Sequence, residues 1–187
     1  MKFLIACLGN IGAEYLNTRH NIGFLIADRL VQTSEGSFTT NRYAQTANIR
    51  HRGKTLVVIK PSTYMNLSGN AVKFWMQKEH IPIENMLVVT DDIALELGQL
   101  RMKMKGGDAG HNGMENIIQS LQTNEFARLR FGIGNNFSRG RQVDYVLGEW
   151  TKQETDIIDS RIDVAVEMIK SYATVGVQLT MTAFNGK

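Results

Sequence analysis

The chain has 187 residues, 43% of them hydrophobic and 21% charged, which is in the normal range for one compact globular domain with a real core. Its formal net charge of +3 and pI near 9.0 permit an anionic partner but fall far short of a histone-like or disordered arm. The single cysteine, Cys7, excludes an internal disulfide and a paired-cysteine zinc site and fits a reducing compartment.

Phe3 to Leu8 is a continuous apolar run ending in Gly9-Asn10-Ile11-Gly12. This predicts a fully buried strand feeding a loop, and the carboxyl end of such a strand is the first place to look for chemistry. The opening MKFLIAC has a lipoprotein-like order, but its apolar run is too short for a signal-peptide core and polar residues follow at once. Asn21 to Val31 places Ile22, Leu25, Ile26 and Leu30 at helical spacing, predicting a first crossover helix. Tyr43 to Ile49 and Thr55 to Ile59 flank His51-Arg52-Gly53-Lys54, a hairpin signal that makes the sheet mixed.

Ser68 to Lys78 is helical in pattern, Met86 to Val89 returns to a buried strand, and Gly98 to Met104 alternates. Asn112 to Leu121 and Lys152 to Tyr172 complete the helices. In the last, Ile158, Ile162, Ala165, Ile169 and Tyr172 form one stripe that should pack along the sheet. The expected fold is α/β: a single-domain sandwich over residues 1–187, with a mixed, mostly parallel twisted sheet flanked by helices on both faces. No window is apolar for long enough to span a bilayer, so no membrane partner and a cytoplasmic location are expected.

Three loops follow predicted strands, Gly9 to His20, Pro61 to Gly69 and Gly106 to Gly113, and each is associated with a carboxamide: Asn10, Asn66 and Asn112. Carboxamides donate and accept without charge, so several in one cleft can hold an ester carbonyl, a peptide backbone and ribose hydroxyls. Turns and caps are the commoner use of any one of them. His20 lies where a loop becomes a helix, and a lone histidine there is more often a cap or surface residue than a catalyst. Asp91 and Asp92 end a buried strand; a carboxylate there can orient an imidazole and stabilise its protonated form, while capping or solvent exposure suits Asp92. Gly106-Gly107-Asp108-Ala109-Gly110-His111-Asn112-Gly113 allows close backbone approach to a ligand or loop motion. Arg101, Lys103 and Lys105 alternate along a strand, giving a positive strip that is solvated or suited to phosphates. Gly9 to Gly12 lacks the spacing of a dinucleotide site. No ligand spacing demands a metal from His20, His111, Asp91 and Asp92, so no metal and no cofactor are expected.

The ordered set GNIGAEYLNTRHNIGF, KPSTYMNLSG, TDD, and GGDAGHNG followed by FARLRFGIG resembles the bacterial-type peptidyl-tRNA hydrolase family over nearly the whole chain. The resemblance implies hydrolysis of the ester between a peptide and the tRNA 3′ ribose, with His20 as general base, Asp91 as orienting acid, and Asn10, Asn66 and Asn112 as substrate-holding amides. Tyr15, Met65 and His111 match positions lining the same cleft. Lys103 and Arg130 match basic residues that contact the tRNA 5′ phosphate, with Arg128 adding positive charge. The implied partner is peptidyl-tRNA, through its acceptor stem, 3′ CCA end and 5′ phosphate, with no obligate protein partner and a monomer as the default. The chain departs from the commonest family pattern at Ile11 and at Asn135-Asn136, where proline is often found.

An ester with a ribose leaving group needs one positioned base and a water, with Asn10 or Asn112 on the oxyanion. Three rivals compete with this reading. A non-hydrolysing RNA-binding relative is disfavoured by the retained His20, Asp91 and three asparagines. A peptidase lacks an evident metal cluster or activated nucleophile, Cys7 lying inside a buried strand. An esterase unrelated to tRNA would act equally well on substrates without the tRNA body.

Overall fold

A computed structural model describes residues 1–187. The strands are β1 (Lys2–Cys7), β2 (Thr39–Asn41), β3 (Ala44–His51), β4 (Lys54–Pro61), β5 (Met86–Asp92), β6 (Leu100–Lys103) and β7 (Ala127–Gly132). They form one sheet in the order β2-β3-β4-β1-β5-β7-β6. The four central strands, β4, β1, β5 and β7, run parallel, and β2, β3 and β6 join antiparallel at the two edges. The mixed sheet expected from the hairpin signal is therefore present. Its two-residue turn puts Arg52 at φ 46° and Gly53 at φ 76°, the paired left-handed conformation that matches strand twist.

The helices are α1 (Ile22–Thr33), α2 (Ser68–Glu79), α3 (Asn112–Leu121), α4 (Gln142–Val146), α5 (Lys152–Val175) and α6 (Val177–Phe184). Alternation along β1 sorts them into layers. Phe3, Ile5 and Cys7 pack with Ile22, Ile26 and Leu30 of α1 and with Ile158, Ile162 and Ile169 of α5. Leu4, Ala6 and Leu8 face the other way, onto Val72 and Trp75 of α2 and Met114 and Ile117 of α3. A central strand buried on both faces cannot alternate polar with apolar residues, so β1 is a solid apolar run. Burial also pushes the Cys7 thiol far above its ordinary value, which removes it as a nucleophile.

Strand β7, the short β2, and helices α4 and α6 were not anticipated. Arg128 and Arg130 interrupt the apolar pattern of β7, and the edge position of β2 leaves all three of its residues exposed. The alternating strand ends at Lys103, so Lys105 falls in the following bend and does not share the face of Arg101 and Lys103. At the outer edge of β6 the side chain of Asn185, just past α6, accepts from the Met102 amide at 2.9 Å and donates to its carbonyl at 2.9 Å. No helix is long and apolar enough to cross a membrane.

Candidate active site

Parallel strands deliver their carboxyl ends to one side of a sheet, and the loops there form the crevice. Gly23, in the first turn of α1, has no room for a side chain: a Cβ would lie 2.4 Å from the Leu8 carbonyl oxygen. Its absence lets α1 begin directly against the end of β1, which brings the tight turn Arg19–Asn21 to the strand ends. Asn21 fastens that turn to the first loop, accepting from the Asn10 amide at 2.8 Å and donating to the Asn10 carbonyl at 2.9 Å.

Asp91, near the end of β5, is 4% exposed and has both carboxylate oxygens engaged. Oδ2 lies 2.8 Å from Nδ1 of His20, and Oδ1 lies 2.8 Å from Nε2 of His111. The two imidazoles are neighbours, with ring centroids 4.9 Å apart. Burial on its own would raise the Asp91 pKa, but His20 and then His111 outweigh it and hold the carboxyl well below the usual carboxylate range. Burial on its own would lower the His20 pKa, but the charge and hydrogen bond of Asp91 raise it above the ordinary 6.5.

Hydrogen bonding fixes both tautomers. His111 precedes α3 as its N-cap, and its Nδ1 accepts from the amides of Gly113 at 3.1 Å and Met114 at 3.2 Å. Its proton therefore sits on Nε2 and is given to Asp91. His20 gives its Nδ1 proton to the other oxygen, which leaves a lone pair on Nε2. Ligand atoms of His20, Asp91 and His111 lie within 4.8 Å of one another, close enough to suggest a metal. His111 has no lone pair to offer on that side, because Nδ1 is committed to the backbone, so the donor set does not suit an ion.

His20, Asp91, His111, Asn112 and Arg130 line one cavity, together with Gln142, Val143 and Val146 of α4. Asn10 and Met65 are joined outside that lining: Asn10 Oδ1 accepts from the Met65 amide at 2.7 Å. Asn10 Nδ2 is left without a protein partner. Met65 in turn packs against Gly113, where a Cβ would meet its sulfur at 2.6 Å, so Asn10, Met65 and the start of α3 form one assembly. Asn66 is exposed on the turn Met65–Leu67. Tyr15 is half-buried on the turn Ala13–Tyr15 and lies outside the cavity lining.

The basic residues divide into two kinds. The β6–β7 register sets Arg101 opposite Arg130 and Lys103 opposite Arg128, so all four start from one face of the sheet. Lys103 is exposed. Arg128 is 2% exposed and does not add surface charge as expected. It donates to the carbonyls of Gly106, Gly107, Asn124 and Phe126, pinning the glycine-rich loop, and burial followed by the nearby Arg130 lowers its pKa to about 10. Asp92 is neither exposed nor a helix cap. Its carboxylate pairs with Arg130 Nε and accepts from the Ala94 amide at 2.7 Å, leaving the terminal nitrogens of Arg130 free of protein partners.

The profile of a family described as Peptidyl-tRNA hydrolase matches residues 4–187. A peptidyl-tRNA hydrolase of Parabacteroides distasonis is 55% identical over 187 residues, covering all of both chains. One of Bacteroides fragilis is 52% identical over the same span. The crystal structure of peptidyl-tRNA hydrolase from Acinetobacter baumannii superposes with a TM-score of 0.93 at 32% identity, over 98% of this chain and 94% of that one. Matched from its first strand to its last residue, and built around a histidine–carboxylate pair at the strand ends, the chain belongs to the peptidyl-tRNA hydrolase family.

Proposed function

We propose that the protein hydrolyses peptidyl-tRNA with His20 as general base, and that the His20–Asp91–His111 hydrogen-bond chain is the observation that carries this reading. Asp91 keeps the proton of His20 on Nδ1, so Nε2 can take one from a water molecule as the water oxygen attacks the ester carbonyl. The carbonyl electrons move onto oxygen, and Asn10 Nδ2 or the Asn112 carboxamide donates to that oxyanion. Collapse of the tetrahedral intermediate expels the ribose oxygen, which recovers the proton from the imidazolium. Asp91 stabilises that imidazolium throughout.

Asn66, Asn112, Tyr15 and Met65 hold the peptide and the 3′ end beside this centre. Lys103 and the free terminal nitrogens of Arg130 serve the tRNA 5′ phosphate, a role that the shared face of β6 and β7 supports. The protein works as a monomer of one domain in the cytoplasm, where its substrate is found.

The test is single-turnover hydrolysis of N-acetyl-aminoacyl-tRNA with excess chelator, beside a His20→Ala control and the unacylated substrate. We expect cleavage of the acetylated substrate alone, unaffected by chelator, and a rate roughly 100- to 10,000-fold lower in His20→Ala. Near-normal turnover without His20 would sink the assignment.

A further inference from the structure

The residue before the catalytic histidine makes an unusual set of contacts. Arg19 is 9% exposed. Its backbone amide donates to the Gly148 carbonyl at 3.0 Å, and its neighbour Thr18 bridges Glu149. Its guanidinium donates to the Tyr145 carbonyl at 3.2 Å and to Glu154 Oε2 at 2.9 Å. It also lies 4.4 Å from the Tyr145 ring centroid and 5.6 Å from that of Trp150. Gly148 leaves the space, since a Cβ there would lie 2.8 Å from the guanidinium.

These partners are themselves anchored. Glu154 accepts from the Thr151 amide at 2.7 Å in the capping box of α5, and the Tyr145 hydroxyl donates to the Ile133 carbonyl, just past β7, at 2.6 Å. The guanidinium thus ties the turn that carries His20 to α4, whose Gln142, Val143 and Val146 line the same cavity as His20.

As a stabilising device this arrangement is poor. The Nε of Arg19 and the indole nitrogen of Trp150 are both buried without a partner, and burying a charge costs more than filling the same space with apolar atoms. What an apolar residue could not supply is direction: several fixed bonds hold the turn at one angle.

We propose that Arg19 is a positioning residue, locking the Arg19–Asn21 turn to α4 and the start of α5 so that His20 stays on Asp91 and faces the cavity. The inference rests on His20 being the base. A misplacement of about 1 Å in such a group can lower turnover ~100-fold.

The test compares Arg19→Met, which keeps the volume and discards the bonds, with Arg19→Lys and with His20→Ala, measuring kcat, KM and thermal unfolding. We expect Arg19→Met to unfold at or near the wild-type temperature, to lose roughly 10- to 100-fold in kcat and to hold KM, with Arg19→Lys recovering part of the loss. Should Arg19→Met fail to fold, Gly148→Ala displaces the guanidinium without removing it, and it should lower kcat in the same way. Normal turnover in these variants would overturn the proposal. So would a rise in KM at constant kcat, which would make Arg19 a substrate contact, or a loss that follows the folded fraction with Lys no better than Met. If His20→Ala also turned over normally, the base assignment itself would have failed and this inference with it.

Discussion

Asp91 gives one oxygen to each of two histidines, and the two differ in what their second nitrogen does. His20 leaves Nε2 without a protein partner, while His111 spends Nδ1 on the first turn of α3. Replacing Asp91 with asparagine removes the charge that raises the His20 pKa. In the proposed mechanism the neutral imidazole is the active form, so the wild-type kcat should rise with pH through a value above 6.5; Asp91→Asn should move that limb to lower pH and reduce its plateau on the order of 100-fold or more. A pH–rate profile of the two proteins checks this, and an unmoved limb would separate Asp91 from the titration. His111→Ala should cost about 1 kcal/mol of stability through the lost cap, read from denaturant midpoints, and should also lower kcat because Asp91 loses one anchor. The roles proposed for His20 and Asp91 came from the family resemblance, whereas the placing of His20 at a loop-to-helix junction and of Asp91 at a strand end was readable from the sequence. The double engagement of His111 was not, because it depends on α3 arriving from the opposite layer. Asp92 misled for a similar reason: its partner, Arg130, lies on a strand that pairs with β5 only in the folded sheet.

Elements succeed or fail here by how closely backbones approach. Gly23 against Leu8 and Gly113 against Met65 allow α1 and α3 to begin at the strand ends, and neither glycine announces this in the sequence. Gly23→Ala would force α1 away from β1, at a cost of roughly 1–3 kcal/mol. It should also depress kcat, since the turn Arg19–Asn21 that carries His20 runs directly into α1. Gly53→Ala provides the contrast: it strains a φ of 76° in the β3–β4 turn with nothing nearby to clash. That variant should lose about 1 kcal/mol and keep full activity. Measuring both stability and kcat for the pair distinguishes a helix that positions the site from a hairpin that only closes the sheet. The main elements were readable from periodicity because their cores are solid or evenly striped. Strand β7 was not, because its arginines, Arg128 buried and Arg130 half-buried, break the apolar run that marks its parallel neighbours.

At the scale of the whole molecule, charge and pH act together. The Asp91 pKa is lowered on folding, so its contribution to stability is complete above its ordinary 3.8 and fades as the pH falls below that value. The His20 pKa is raised, so its contribution is complete below 6.5 and fades as the pH climbs through the higher folded value. Unfolding curves across pH should show wild type losing more stability on acidification below 3.8 than Asp91→Asn does. Salt is the second lever: KM for a tRNA substrate should rise with ionic strength, and Lys103→Ala should reduce the slope of that dependence by about one.

The clasp between Asn185 and Met102 has a bearing on solubility. An outer strand with open amide and carbonyl groups invites a second chain to add on, and proteins must blunt such edges. One carboxamide occupies both groups of Met102 at the middle of a four-residue strand, so a visiting strand finds the edge already taken. The same side chain that completes the sheet also guards its edge against growing.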